Sequence, residues 1–167
     1  MCGDSKLEVR VAVLSKHDLP SSHFRIMVTS TEPPKYAKLC EAYDFVSELW
    51  NESRFTLKLH ESLREITPSS GEKVVLVKKF NRAIWTKQVI TWGKENGYRL
   101  AFPTEREAFT KANRDLQRLF SIMDLGSFVH DDDYRLVPVL HELEGERYLG
   151  HGSLDDGSEH RFLFIRI

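Results

Sequence analysis

A chain of 167 residues, 41% of them hydrophobic and 29% charged, has enough apolar material to bury roughly 70% of the surface its unfolded form exposes, which excludes a disordered or disulfide-dependent chain. Its formal net charge of −1 and pI near 6.7 fall well short of the ~9 of dedicated nucleic-acid binders. Charged residues occupy MCGDSKLEVR where a signal peptide would need an apolar core, and no apolar run approaches the ~20 residues of a membrane span, so a soluble, cytoplasmic protein with no membrane partner is expected.

Taken in chain order, LEVRVAVLS alternates Leu7, Val9, Val11 and Val13, and FRIMVTS alternates Phe24, Ile26 and Val28, which predicts two strands. Pro33 and Pro34 stop extended structure. Tyr36, Leu39, Cys40, Tyr43, Val46, Leu49 and Trp50 then recur at helical spacing, and Phe55, Leu59, Leu63 and Ile66 suggest a second helix ending before the linker-like ITPSSGEK. Cys40 belongs to that apolar face and Cys2 to the N-terminal end, so no structural disulfide is expected.

KVVLVKKF reads as a strand. Thr86 is a candidate N-cap with Trp85 stapled onto Ile90, and Asn96-Gly97 closes the helix with a left-handed residue. After YRLAF, Thr104 and Glu107 have the spacing of a capping box, opening a helix with Phe109, Ala112, Leu116, Leu119, Phe120 and Met123 inward and Gly126 as terminator.

The last forty residues return to strands in SFVH, YRLVPVLHEL, ERYLGHG and HRFLFIRI, separated by the turn-forming runs DDD, EGE and SLDDGS. Pro138 argues for an edge or a bulge. The expected architecture is α+β, with helices grouped in the middle and an antiparallel sheet completed by the C-terminal strands. A single domain over 1–167 is expected, residues 1–70 forming a candidate N-terminal subdomain of two strands and two helices.

The succession of an aromatic-anchored helix, NGYRLAFPTE, a second helix and strands ending in RFLFIR resembles bacterial C-type-lectin-like modules, including the sulfatase-modifying family whose signature reads close to GYRLPTEAEWE. The resemblance covers 73–167. Ala101-Phe102 is inserted before Pro103 and the Trp after the Glu is lacking. No cysteine follows Cys40, so the formylglycine-generating activity is not implied, and the family's Glu-Pro-Asn, Gln-Pro-Asp and Trp-Asn-Asp sugar-binding signatures are missing. What the resemblance implies is a stable scaffold whose loops bind a ligand.

Residues 72–119 carry eleven Lys or Arg against five acids, whereas 120–167 carry four against ten. These blocks either neutralise each other in the fold or present separate faces. Arg106, Lys111, Arg114 and Arg118 define a candidate basic binding face on the helix after Thr104, which Lys73, Lys78, Lys79, Arg82 and Lys87 would extend beside Phe80 and Trp85 towards single-stranded nucleic acid. Trp50, Trp85 and Trp92 fit core faces.

The C-terminal third holds atoms suited to zinc or calcium, with His130, Asp131, Asp133, His141 and His151 as candidate ligands, though at none of the spacings that mark known sites. Solvated turn residues are the better account of them, and His151, between Gly150 and Gly152, reads as a hairpin turn. No catalytic constellation is present, nor any phosphate or dinucleotide loop, and no cofactor is expected. The leading expectation is a non-catalytic binding or interaction module with a protein partner. The alternatives are a basic-faced nucleic-acid binder and a metal-dependent hydrolase built on the C-terminal His and Asp residues.

Overall fold

The computed structural model describes residues 22–52, 56–154 and 160–167. The strand expected at Leu7–Ser15, Phe55 and the run 155–159 lie outside the described residues. Within them the fold is mixed α+β: three α-helices and a largely antiparallel ten-stranded sheet. In chain order the elements are β1 (Ser22–Val28), α1 (Tyr36–Ala42), β2 (Phe45–Val46), β3 (Lys58–Leu59), β4 (Gly71–Lys79), α2 (Thr86–Glu95), β5 (Tyr98–Leu100), α3 (Pro103–Ala112), β6 (Ile122–Met123), β7 (Ser127–Asp131), β8 (Tyr134–Leu143), β9 (Glu146–Ser153) and β10 (Arg161–Arg166). Among the described residues, no helix is long and apolar enough to cross a membrane.

The strands run in the order β1-β4-β10-β6-β8-β9-β2, with β5 also on β10, β7 on β8 and β3 on β7. The β10–β6 and β9–β2 pairs are parallel. Alternation along β4 and β10 sends side chains to opposite faces. Val75, Val77, Leu163 and Ile165 join Ile26, Leu39, Tyr43, Phe109 and Leu140 in one core, while Leu76, Phe162 and Phe164 join Val89, Leu100, Val137 and Val139 in the other. Because both faces are covered, VVLV and FLFI read as continuous apolar runs.

The C-terminal hairpins follow the sequence closely. Glu144 and Gly145, with φ of 51° and 83°, form the two-residue turn between β8 and β9, where Leu143 pairs with Glu146. Asp132, φ 54°, serves the β7–β8 turn. Pro138, however, is interior to the sheet. β8 changes neighbour there: Leu140 and Val139 pair with β6, Leu136 to Tyr134 pair with β7, and the N–H that proline lacks would face the gap between them. In that gap the Asp124 N–H donates to the Pro138 carbonyl at 2.9 Å.

His151 is likewise no turn residue. It lies within β9 opposite Pro138, and its flanking glycines are demanded by close packing rather than by φ. A Cβ at Gly150 would stand 2.7 Å from Nε2 of His141, and one at Gly152 3.2 Å from the Val139 side chain.

Three expected helices are shorter than their apolar periodicity or absent. α1 ends at Ala42 because the following backbone pairs with β9, Asp44 N–H donating to Arg147 O at 2.9 Å and Ser47 N–H to Leu149 O at 2.8 Å. The buried Arg147 guanidinium donates to the Ala42 carbonyl at 2.8 Å, satisfying a terminal acceptor of the helix. Leu59 and Leu63 fall on β3 and a 3-10 turn, and α3 stops at Ala112, leaving Leu119 59% exposed and Met123 in β6. Cys40 is exposed.

The caps also sit elsewhere. Trp85, 67% exposed and not in the core, is the N-cap of α2, its N–H donating to Gln88 at 3.0 Å, while Thr86 is buried and donates to the Leu154 carbonyl. Phe102 caps α3, with Pro103 first and Glu105 accepting the Phe102 N–H at 2.9 Å. Trp92 does pack, stacked at 11° on Tyr98 and against Phe80 and Phe164.

Candidate functional site: a groove along α3

The segment YRLAFPTERE is organised by charge pairs. Arg99 on β5 makes two 2.8 Å bonds to the Glu105 carboxylate, locking the strand to the first turn of α3. One residue on, Arg106 is 3% exposed, its Nε donating to Oε2 of Glu107 at 3.0 Å and its Nη1 to Oδ2 of Asp124 at 3.1 Å. The Tyr43 hydroxyl reaches the same Glu107 Oε2 at 3.1 Å and lies 2.9 Å from Oγ1 of Thr110.

Burial pushes the Asp124 carboxyl up to about 6, against the pull of Arg106 and of the Gly126 N–H. Burial, reinforced by Glu107, holds the Tyr43 phenol well above its ordinary range. Burial also works to lower the pKa of Arg106, but Glu107 and Asp124 outweigh it and keep the guanidinium charged. One atom of the network stands apart: among the described residues, Glu107 Oε1 is buried without a hydrogen-bond partner.

Glu107 lines a groove of about 710 Å³ that runs between α3 and the segment leaving β1. Its apolar walls are Met27, 60% exposed, with Pro33, Pro34 and Ala108. Lys35, Lys38, Lys111 and Glu32 also line it, so it carries charge of both signs. Lys38 pairs with Glu41 at 3.4 Å, and among the described residues neither Lys35 nor Lys111 has an ion pair. A second cavity of about 360 Å³ shares Pro33, Pro34 and Lys35 and is lined by Arg106, Tyr36 and Trp50. The Arg106–Glu107 pair thus lies between two openings.

The residues expected on a basic face do not share one. Arg106 is in the core, Lys111 borders the groove, Arg114 lies exposed beyond the end of α3, and Arg118 sits in a 3-10 turn where Asp115 at 3.0 Å and Asp44 at 3.6 Å hold it. Helical spacing cannot place them together because the helix has ended.

The candidate metal ligands divide in two. His130, Asp131 and Asp133 surround the β7–β8 turn, His130 edge-on to Phe128 at 5.3 Å. His141 is seven residues further along β8, about 23 Å at strand rise. It shares a cleft of about 500 Å³ with His151, His160, Glu142, Arg118 and Ser121. Ser121 Oγ and His160 Nδ1 are 2.8 Å apart, and burial lowers the pKa of His141. Among the described residues no three His, Cys, Asp or Glu side chains converge as a metal would require.

Sequence reasoning missed Tyr43, Glu107, Asp124 and Lys35 as members of a site. The one local sign is the run Glu105-Arg106-Glu107 between apolar Phe102 and Phe109, where a solvated helix face would expose at least one of the three. Comparison with known protein families, curated proteins and solved structures finds no match to this chain.

Proposed function

We propose that this chain is a non-catalytic binding module and that its partner is a protein, an extended segment of which lies in the groove between α3 and the β1–α1 connection. The observation that carries this reading is the groove itself: about 710 Å³, apolar along Met27, Pro33, Pro34 and Ala108, with polar groups at defined positions, as recognition sites usually are. Exposed methionine and proline side chains supply adaptable contact area on a protein-binding surface. The resemblance of NGYRLAFPTE to C-type-lectin-like modules supports the same reading, since it implies a scaffold that binds through its loops.

The alternatives draw on less. A nucleic-acid binder would need Arg106 and Arg118 in a continuous basic surface, and both are engaged by carboxylates. A hydrolase using zinc or calcium would need the two groups of His and Asp to meet. Selection of a displayed random-peptide library on the intact protein tests the proposal. Enriched sequences should appear, and their binding should be lost when Met27→Ser strips the apolar wall or Ala112→Trp obstructs the groove, with the thermal melt preserved. No enrichment, or enrichment indifferent to both substitutions, would move the binding surface elsewhere.

A further inference from the structure

We infer that the second cavity, which shares Pro33, Pro34 and Lys35 with the groove, binds a small apolar carboxylic acid, its hydrocarbon body enclosed by Leu39, Leu49, Trp50, Val129 and Leu149 and its carboxylate held by Lys35. This site is distinct from the peptide reading of the groove and does not rest on it. At about 360 Å³ the cavity falls within the ~300–1,000 Å³ of small-molecule sites, which are mostly apolar with a few polar groups that orient the ligand. Leu39, Val129 and Leu149 are buried, and the Trp50 indole N–H already donates to the Gly150 carbonyl at 3.2 Å, which leaves an aromatic surface with no donor to satisfy. A hydrocarbon chain gains there by leaving water.

Charge decides the polar end of the ligand. The described residues lining the cavity include two cations, Lys35 and Arg106, and no carboxylate. Arg106 is buried and already shared between Glu107 at 3.0 Å and Asp124 at 3.1 Å, so a third carboxylate beside it would meet two others around one guanidinium. Lys35 is exposed and has no ion pair among the described residues. An anionic head therefore finds its partner at the solvent side, where it stays partly hydrated, and leaves the interior to the apolar chain. A cationic head in that position is repelled by Lys35, and a neutral one gains no pairing.

Isothermal titration calorimetry of the intact protein with octanoate, 1-octanol, octylammonium and acetate tests the inference. Octanoate should bind with one-to-one stoichiometry, 1-octanol about fivefold more weakly and octylammonium more weakly still, while acetate, which lacks the hydrocarbon body, should not bind. Lys35→Gln removes the charge and should bring octanoate down to the affinity of 1-octanol while leaving 1-octanol unchanged. Leu49→Trp fills the cavity and should remove both. If Leu49→Trp does not fold, Lys35→Gln and the order of the four probes decide. Met27→Ser and Ala112→Trp alter the groove and not this cavity, so octanoate binding should survive both, and the two sites stand or fall separately. No octanoate binding, binding that persists in a folded Leu49→Trp or is indifferent to Lys35→Gln, or equal affinity for octanoate and octylammonium would overturn the inference.

Discussion

Glu105, Arg106 and Glu107 are three consecutive charged side chains, all buried, and each is buried for a different partner: Arg99, Asp124 and Tyr43 respectively. Such a network confers stability only while every member is matched. Asp124 exposes its pH dependence. Ordinarily titrating near 3.8, its carboxyl is pushed by burial to about 6. The folded chain therefore holds this proton to higher pH than the unfolded chain. Its contribution is fully present below pH 4 and is lost as pH rises through 6. Asp124→Asn cannot titrate, so the stability margin of wild type over this variant should shrink by on the order of 2 kcal/mol between pH 4 and 7 in urea unfolding. Asp44, whose pKa the Arg147 N–H lowers, affects both proteins alike and cancels. A margin that is flat or grows with pH would contradict the assignment. Beyond the charged run Glu105-Arg106-Glu107 between apolar neighbours, little of this was legible in the sequence, where Glu107 satisfies a capping-box spacing that Glu105 in fact fulfils, and no periodicity reveals that an arginine faces inward.

Strands and helices differed in how far sequence revealed them. Alternation in Phe24-Ile26-Val28, the apolar runs of β4 and β10 and the turn residues of the last hairpins placed six strands, because a period of two and a left-handed turn are local properties. The helices around residues 36–50 and 104–123 were overextended, because nothing local shows that Asp44 and Ser47 will bond to β9, or that Ile122 and Met123 will join β10 and β8. Gly126 was assigned as a helix terminator and instead lies where a Cβ would overlap the Ala101 carbonyl oxygen and stand 2.9 Å from its carbon. Since the obstruction is backbone, Gly126→Ala should cost about 3 kcal/mol or more, and should separate the strand-to-helix corner at Ala101 from the β6–β7 turn. Chemical denaturation measures the first, and a cost below about 1 kcal/mol would show that the corner yields. Hydrogen exchange at His60 N–H, which bonds to the Gly126 carbonyl at 2.9 Å, reports the second.

Across the whole molecule, the two charge blocks of the sequence remain largely unmixed: among the described ion pairs, Arg106–Asp124 alone joins residues 72–119 to residues 120–167. Of the basic block only Lys111 borders the groove, where Lys38, outside both blocks, is held by Glu41 at 3.4 Å. The sheet itself depends on one strand. β10, residues 161–166, lies between β4 and β6 and also carries β5, so that Leu163→Pro, which removes a ladder donor from a central strand, should abolish cooperative thermal unfolding where the same change at exposed Met27 on β1 should not. That placement sets an order on synthesis. A ribosome delivers β4, β5 and β6 before the strand that unites them, and until residues 161–166 emerge the apolar faces of Val75, Leu76 and Val77 have no β10 to cover them. Every contact of β10 with β4 spans more than eighty positions, so the nascent chain waits exposed and closes its sheet last, a schedule that favours slow folding and gives chaperones a defined interval in which to act.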